Sequence, residues 1–248
     1  MARYVLRIAY KGTNYHGWQR QPNANSVQAE VENALKTMFQ TEIGIMGSGR
    51  TDTGVHAKQQ VAHFDYKVDL DTPELVFKLN RILPNDIVVN HANNVVDTAH
   101  ARFDATLRTY EYFIHQKRDP FKVGASYFYA KQLDLDKMAA AAKILVGEQD
   151  FQSFSKVKTE VNNFICNIKS AGWKIDNDSL VFCVTANRFL RGMIRALVGT
   201  LLEVGLGNIS LNEFQKVIEI KDRTKAGRAV PPDGLFLTAV QYPAELYI

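Results

Sequence analysis

A chain of 248 residues with 46% hydrophobic content can bury a substantial core, as one large domain or two of moderate size, without a metal or disulfide staple. Its only two cysteines, Cys166 and Cys183, sit in apolar strand-like runs and read as buried, inert thiols, which excludes a disulfide framework. A formal net charge of +4 is too small to identify a nucleic-acid partner by itself, so that question passes to local clusters of charge.

Met1-Ala2-Arg3 leads directly into the alternating Tyr4-Val5-Leu6-Arg7-Ile8. No signal peptide is therefore expected, no apolar run is long enough to span a membrane, and the expected location is cytoplasmic. Residues 3 to 10 alternate as a strand, followed by the polar, aromatic loop Lys11-Gly12-Thr13-Asn14-Tyr15-His16-Gly17-Trp18-Gln19-Arg20-Gln21-Pro22. Trp18 has no regular apolar stripe to join. Besides a packing role, it is a candidate for stacking on bases or sugars. Asn25 and Gln28 form a predicted capping pair for a helix running to about Gln40, with Val27, Val31, Ala34, Leu35 and Met38 on one stripe.

A short strand at 43 to 46 then delivers Gly47-Ser48-Gly49-Arg50-Thr51-Asp52-Thr53-Gly54-Val55-His56-Ala57. Glycines on both sides of one carboxylate let the backbone turn tightly and approach a ligand closely. In a locally extended segment Arg50 and Asp52 leave the same face, where the cation favours the ionised acid. The Lys-Ser/Thr of a phosphate loop is missing, and the third glycine of a dinucleotide fingerprint would fall on Asp52. Asp52-Thr53-Gly54 also spells the aspartic-protease triplet, but that chemistry shares a proton between two carboxylates and no second triplet occurs. A hydrogen-bonded aspartate in a glycine-rich turn is the purely structural alternative.

Downstream, 60–64 is a predicted strand, 73–83 a helix opened by Pro73, and 87–96 a strand. In the second half, 108–115 alternates as a strand and carries Tyr110 and Tyr112 on one face, as in many cross-strand pairs. Residues 135–146 form an alanine-rich helix ended by Gly147, and 163–175 with 180–186 a hairpin around Asn177-Asp178. A helix at 189–204 buries Met193, Ile194, Leu197, Leu201 and Leu202, while Arg188, Arg191 and Arg195 gather along its edge. With Lys221, Arg223, Lys225 and Arg228 they concentrate positive charge in the last quarter, as a solvated face or an RNA surface. A helix at 211–220 and a strand at 235–242, entered through Ala229-Val230-Pro231-Pro232-Asp233-Gly234, complete the chain.

Each half thus reads β-α-β-β-α-β, the second with one inserted helix. The predicted class is α+β: two ferredoxin-like halves, 1–106 and 107–248, related by a pseudo-twofold axis, their antiparallel sheets joined edge to edge with helices packed on them and a central cleft for an extended ligand.

The segment Gly49-Arg50-Thr51-Asp52-Thr53-Gly54-Val55-His56-Ala57 closely resembles the catalytic segment of the pseudouridine synthases that act on tRNA. By that resemblance Asp52 is the catalytic nucleophile. The 11–18 loop is similar to the family's glycine-tyrosine-glycine-tryptophan loop. Ala101-Arg102-Phe103-Asp104-Ala105 followed by Tyr110 resembles the second motif, which makes Tyr110 the active-site tyrosine against the target base. Phe189-Leu190 with Met193 and Arg195 resembles the third, which makes Arg195 the ion-pair partner of Asp52. Leu235, in the proline-glycine-leucine segment, becomes a candidate for the base pocket beside core packing, and Arg50, Arg188, Arg191 and Trp18 become substrate-binding candidates.

The reaction so implied breaks the N1–C1′ bond of uridine, turns the base and joins C5 to the same carbon, with no redox change and no cofactor, nucleotide or metal. Attack of Asp52 at C6 of the base and at the sugar carbon both remain open. The resemblance further implies uridines 38, 39 and 40 of the tRNA anticodon stem-loop as targets, extruded from the RNA, and a homodimer as the working form. A synthase for another RNA uridine, or a non-catalytic RNA-binding module, is the alternative.

Overall fold

A computed structural model describes residues 1–157 and 163–246. In chain order these form β1 (Ala2–Tyr10), α1 (Val27–Phe39), β2 (Met46–Gly47), β3 (His56–Tyr66), α2 (Thr72–Ile82), β4 (Ile87–Val95), β5 (Leu107–His115), β6 (Tyr127–Phe128), α3 (Leu135–Ile144), β7 (Gly147–Asp150), β8 (Ile165–Asp176), β9 (Ser179–Ala186), α4 (Met193–Gly205), α5 (Leu211–Glu219) and β10 (Leu235–Gln241). The fold is α+β. The chain divides into two compact units, Met1–Arg108 with Phe236–Ile248, and Thr109–Leu235.

In the first unit β4, β1, β3 and β10 are successive neighbours, and the short β2 also pairs with β3. β1 runs antiparallel to both β3 and β4, and β2 antiparallel to β3. The order β4-β1-β3-β2 is what two interleaved β-α-β crossovers produce when each skips one strand. β10 joins parallel to the start of β3, Phe236 opposite His56, which is why 236–248 groups with this unit although the halves read from the sequence divide the chain once, near 106. Alternation along β1 buries Tyr4, Leu6, Ile8 and Tyr10 on one face, as its pattern predicts. The Asn80 amide docks α2 on β4 by two 2.8 Å bonds to the main chain of Val89.

Two local expectations are corrected here. Ser26, not Asn25, caps α1, accepting from the Ala29 N–H at 3.3 Å. Gln28 instead donates to the Ile45 carbonyl at 3.0 Å, and Glu32 accepts from the Ile45 N–H at 3.2 Å. Side chains of α1 therefore take bonds that a strand partner would make, so only Met46–Gly47 forms a strand where 43–46 was expected.

In the second unit β5, β9, β8 and β7 are successive neighbours, with β6 parallel to β5. β8 and β9 form the predicted hairpin, with Asn177 in the left-handed region at φ 52°. α3 stops at Ile144, and Gly147, at φ 109°, opens β7 rather than ending the helix. α4 is buried on nearly every side, beyond the single predicted stripe. Its glycines explain this: a Cβ on Gly205 would lie 2.5 Å from Met138 Sδ of α3, and one on Gly199 1.9 Å from the Arg228 carbonyl oxygen. α4 also begins later than predicted, at Met193 after Gly192 with φ 72°, so Arg188 and Arg191 precede the helix and only Arg195 rides on it.

Candidate active site

In the first unit, Asp52 lies in the loop between β2 and β3 and is half-buried, with Arg50 exposed two residues before it. Asp52-Thr53-Gly54-Val55 is a tight turn, closed by the Val55 N–H on the Asp52 carbonyl at 3.1 Å. Gly54 holds the third position at φ 78°, a conformation that favours glycine. The turn therefore fixes the backbone from which the carboxylate projects.

Neighbouring segments hold the rest of the loop. Gln60, fully buried on β3, takes the Ser48 hydroxyl on its side-chain oxygen and donates from Nε2 to the Gly49 carbonyl at 3.0 Å. Arg108 donates to the carbonyls of Ser48 at 3.1 Å and Arg102 at 2.9 Å through Nη2, and to that of Ala105 at 2.9 Å through Nη1. Tyr10 and Thr51 share a hydroxyl bond of 2.8 Å. The Gly54 N–H donates to the Tyr15 carbonyl at 3.2 Å, and the Tyr15 hydroxyl donates to Asp86 at 2.6 Å. Burial, helped by that carboxylate, raises the Tyr15 pKa.

The 11–18 loop wraps this segment so closely that its glycines have no room for side chains. A Cβ on Gly12 would stand 2.0 Å from the Val55 carbonyl oxygen, and one on Gly17, at φ 90°, 2.2 Å from that of Thr51. Trp18, a candidate for packing or for stacking on bases, is 2% exposed. It lies over Gly47, whose added Cβ would meet Trp18 Nε1 at 2.3 Å, and its ring is 6.1 Å from that of Tyr10. The loop cradles the Asp52 segment, and its aromatic surface is used in packing.

In the second unit, Tyr110 on β5 is half-buried with its ring edge-on to Phe189, centroids 5.3 Å apart at 85°. Tyr112, two residues on, is fully buried and donates to the Pro231 carbonyl at 2.8 Å, a structural position. Arg195 is anchored to the same segment: its Nε donates to the Val230 carbonyl at 2.7 Å, and its own carbonyl accepts from the Val230 N–H at 3.1 Å. That bond sets the plane of the guanidinium from the first turn of α4. Leu235 is 5% exposed.

The basic residues of this unit divide. Arg191 is exposed and Arg188 half-buried, and the Arg191 carbonyl accepts from the Lys156 N–H at 2.9 Å. Lys221 pairs with Asp150 at 2.8 Å. Arg223 binds the carbonyls of Ala226 and Gly227 at 3.3 and 3.2 Å, and the Gly227 N–H reaches Thr200 Oγ1 at 2.9 Å, which ties the 223–228 segment to α4.

His56 and His63 both accept backbone bonds on Nδ1: His56 from Gly12 at 3.0 Å, His63 from Ala101 at 3.1 Å. Burial, reinforced by Arg3 and His100, lowers the His63 pKa to about 4. The unfolded chain therefore binds this proton more readily than the folded one, and stability is lost as pH falls from about 6.5 towards 4. His63→Gln is expected to flatten that part of the thermal-stability profile by about 2 kcal/mol, and an unchanged slope would contradict it. Burial also pushes the Cys166 thiol up to about 11, consistent with an inert thiol.

Sequence reasoning missed Gln60, Tyr15, Asp86, Arg108 and Phe189. The one signal available was glycine within an aromatic loop, which marks close backbone approach.

A sequence profile described as tRNA pseudouridine synthase matches residues 7–104 and 141–243. A Parabacteroides distasonis protein named tRNA pseudouridine synthase A is 49% identical over 248 residues, covering 100% of this chain and 98% of its own. Its namesake in Bacteroides thetaiotaomicron is 48% identical over 100% of this chain and 93% of its own, and that in Caldicellulosiruptor bescii 39% over 98% and 100%. With matches of this extent in both halves of the sequence, the chain belongs to the tRNA pseudouridine synthase family.

Proposed function

We propose that this enzyme isomerises uridines 38, 39 and 40 of the tRNA anticodon stem-loop to pseudouridine, with Asp52 as nucleophile, Arg195 as its ion-pair partner and Tyr110 against the target base. The observation that carries the reading is the Asp52 turn, whose main chain is fixed by Val55, Gly17, Tyr15 and Gln60 while the carboxylate stays half-buried. A catalytic group held at one position avoids the entropy of finding it, a contribution that can reach roughly 7 to 11 kcal/mol. The anchored Nε of Arg195 suits a guanidinium that presents its Nη fork to one carboxylate. Tyr110 and Phe189 together offer an aromatic corner for a base.

In this reading Asp52 attacks as its anion, at C6 of the base or at the sugar carbon. The N1–C1′ bond breaks with its electron pair left on N1, the base turns, C5 bonds to C1′, the bond to Asp52 breaks to return the carboxylate, and the C5 proton leaves to solvent while N1 takes one up. Leu235 borders the base, while Arg50, Arg188 and Arg191 meet phosphates with an affinity that falls with salt. The working form is a cytoplasmic homodimer, which sedimentation of the purified protein tests. No helix among the described residues is long and apolar enough to cross a membrane.

The test is tritium release from tRNA carrying 5-tritiated uridine, followed by mapping of the product. Release with pseudouridine at 38, 39 or 40 is expected. Product at other uridines would overturn the anticodon assignment, and no release would overturn the activity.

A further inference from the structure

None of the residues assigned above explains Phe121, which is 95% exposed, or its neighbour Val123, 72% exposed. They lie in Gln116-Lys117-Arg118-Asp119-Pro120-Phe121-Lys122-Val123, which follows β5 and precedes β6. The loop is well tied. The Asp119 carboxylate caps a short 3-10 turn by accepting from the Phe121 N–H at 2.9 Å, and Pro120 fixes its first φ. Lys122 N–H donates to the Asp119 carbonyl at 3.2 Å, and Lys122 Nζ to Ser179 Oγ at 3.1 Å beside the β8–β9 turn. His115 Nδ1 and Ser126 Oγ lie 2.9 Å apart at its base, and the Arg118 guanidinium sits 5.9 Å over the Phe128 ring.

A phenyl ring left in water forgoes the stabilisation of burial, and nothing in a surface turn requires one. Here it stands on an ordered loop among Lys117, Arg118 and Lys122, and the run's single acid, Asp119, is used as a cap. Such a surface complements a polyanion whose bases have stackable faces.

We propose that the 117–122 loop is a second RNA-docking surface, on which Phe121 stacks against an unpaired tRNA base while Lys117 and Arg118 meet the adjacent phosphates. This rests on the tRNA reading above. Tyr110 lies five residues before His115 on β5, roughly 17 Å along an extended strand. The base taken by Phe121 is therefore a different nucleotide from the target, and the loop contributes to holding the RNA and not to the chemistry.

The experiment uses the full chain and an unmodified full-length tRNA transcript, with Phe121→Ala, Phe121→Leu, Phe121→Trp and Arg118→Gln. Loss of stacking is expected to weaken binding and raise KM about tenfold in both the Ala and Leu variants, with kcat at saturating tRNA unchanged and Trp close to wild type. Arg118→Gln is expected to lower the slope of log affinity against log salt by about 0.7 to 0.9. Wild-type affinity with Leu would mean a plain apolar contact and overturn the proposal. So would a lower sedimentation coefficient in Phe121→Ala, which would assign the ring to a second copy of the chain. If wild type turns over tRNA and no variant changes binding, this inference alone fails. If wild type neither binds nor modifies tRNA, the functional reading fails with it.

Discussion

Asp52→Asn is expected to abolish tritium release from 5-tritiated uridine tRNA, with a loss of about 10⁴-fold or more, while the protein still folds and still binds tRNA. The magnitude is that found when the attacking group of a covalent mechanism is removed, leaving only binding and the surrounding dipoles to act. Asparagine keeps the size and shape of the side chain. Among the bonds that hold this segment, two are main-chain ones at the Asp52 turn: Val55 N–H to the Asp52 carbonyl and Gly54 N–H to that of Tyr15. These two do not depend on the side-chain charge, and the state of the fold in the variant is read separately from its chemistry. Thermal unfolding and tRNA affinity are measured alongside turnover. Turnover within tenfold of wild type would end the assignment of Asp52 as nucleophile, whichever atom it attacks. Unfolding of the variant would mean that the carboxylate has a structural role the main-chain bonds do not reveal.

Gly17→Ala should damage stability and turnover together, although residue 17 carries no chemistry. Gly17 sits at φ 90°, where a side chain is strained, and its added Cβ would lie 2.2 Å from the Thr51 carbonyl oxygen and 3.2 Å from the Asp52 carbonyl carbon. The atoms it meets belong to a backbone already held by Tyr10, Tyr15 and Gln60, so they cannot yield by a rotamer change. Strain of about 1 to 3 kcal/mol from the backbone, with overpacking of similar size, predicts a destabilisation of about 3 kcal/mol or more. For a chain of this size that lowers the Tm by roughly 6 to 12 °C. In the protein that remains folded the Asp52 turn is pushed from its place, and kcat is expected to fall about 100-fold, as for a misplacement of about 1 Å. Gly49→Ala is the control. A Cβ there meets nothing within 4 Å, although the residue is closer in sequence to Asp52, and it should fall within about 0.5 kcal/mol of wild type. Equal behaviour of the two variants would refute the cradle formed by the 11–18 loop.

Other features were decided by partners far away in the chain. The loop at 11–18 is polar and aromatic in composition, which suits a surface that contacts RNA. Its burial follows from where β1 and β3 bring it, against Gly47, Thr51 and Val55. Gln60 shows the same limit from the opposite direction. In the sequence it is a polar residue at the start of an alternating run, and only the fold sets it beneath Ser48 and Gly49. Arg108 reads as a strand-end cation, yet it is spent on three backbone carbonyls. For Arg188 and Arg191 the helical period was extended too far, because Gly192 in the left-handed region interrupts it before Met193.

By itself the sequence determined the elements whose cause is local. The alternation of β1, the Asn177-Asp178 turn of the hairpin and the span of α5 were all read within a residue or two, since periodicity and turn chemistry act between near neighbours. It also determined the family, through an unbroken run around Asp52. Tertiary structure decided how that aspartate is held and which of the nearby aromatics is buried, and it grouped β10 with β3. These outcomes depend on contacts between residues dozens to nearly two hundred positions apart, and no local pattern encodes which distant backbone will stand 2.2 Å from a missing Cβ.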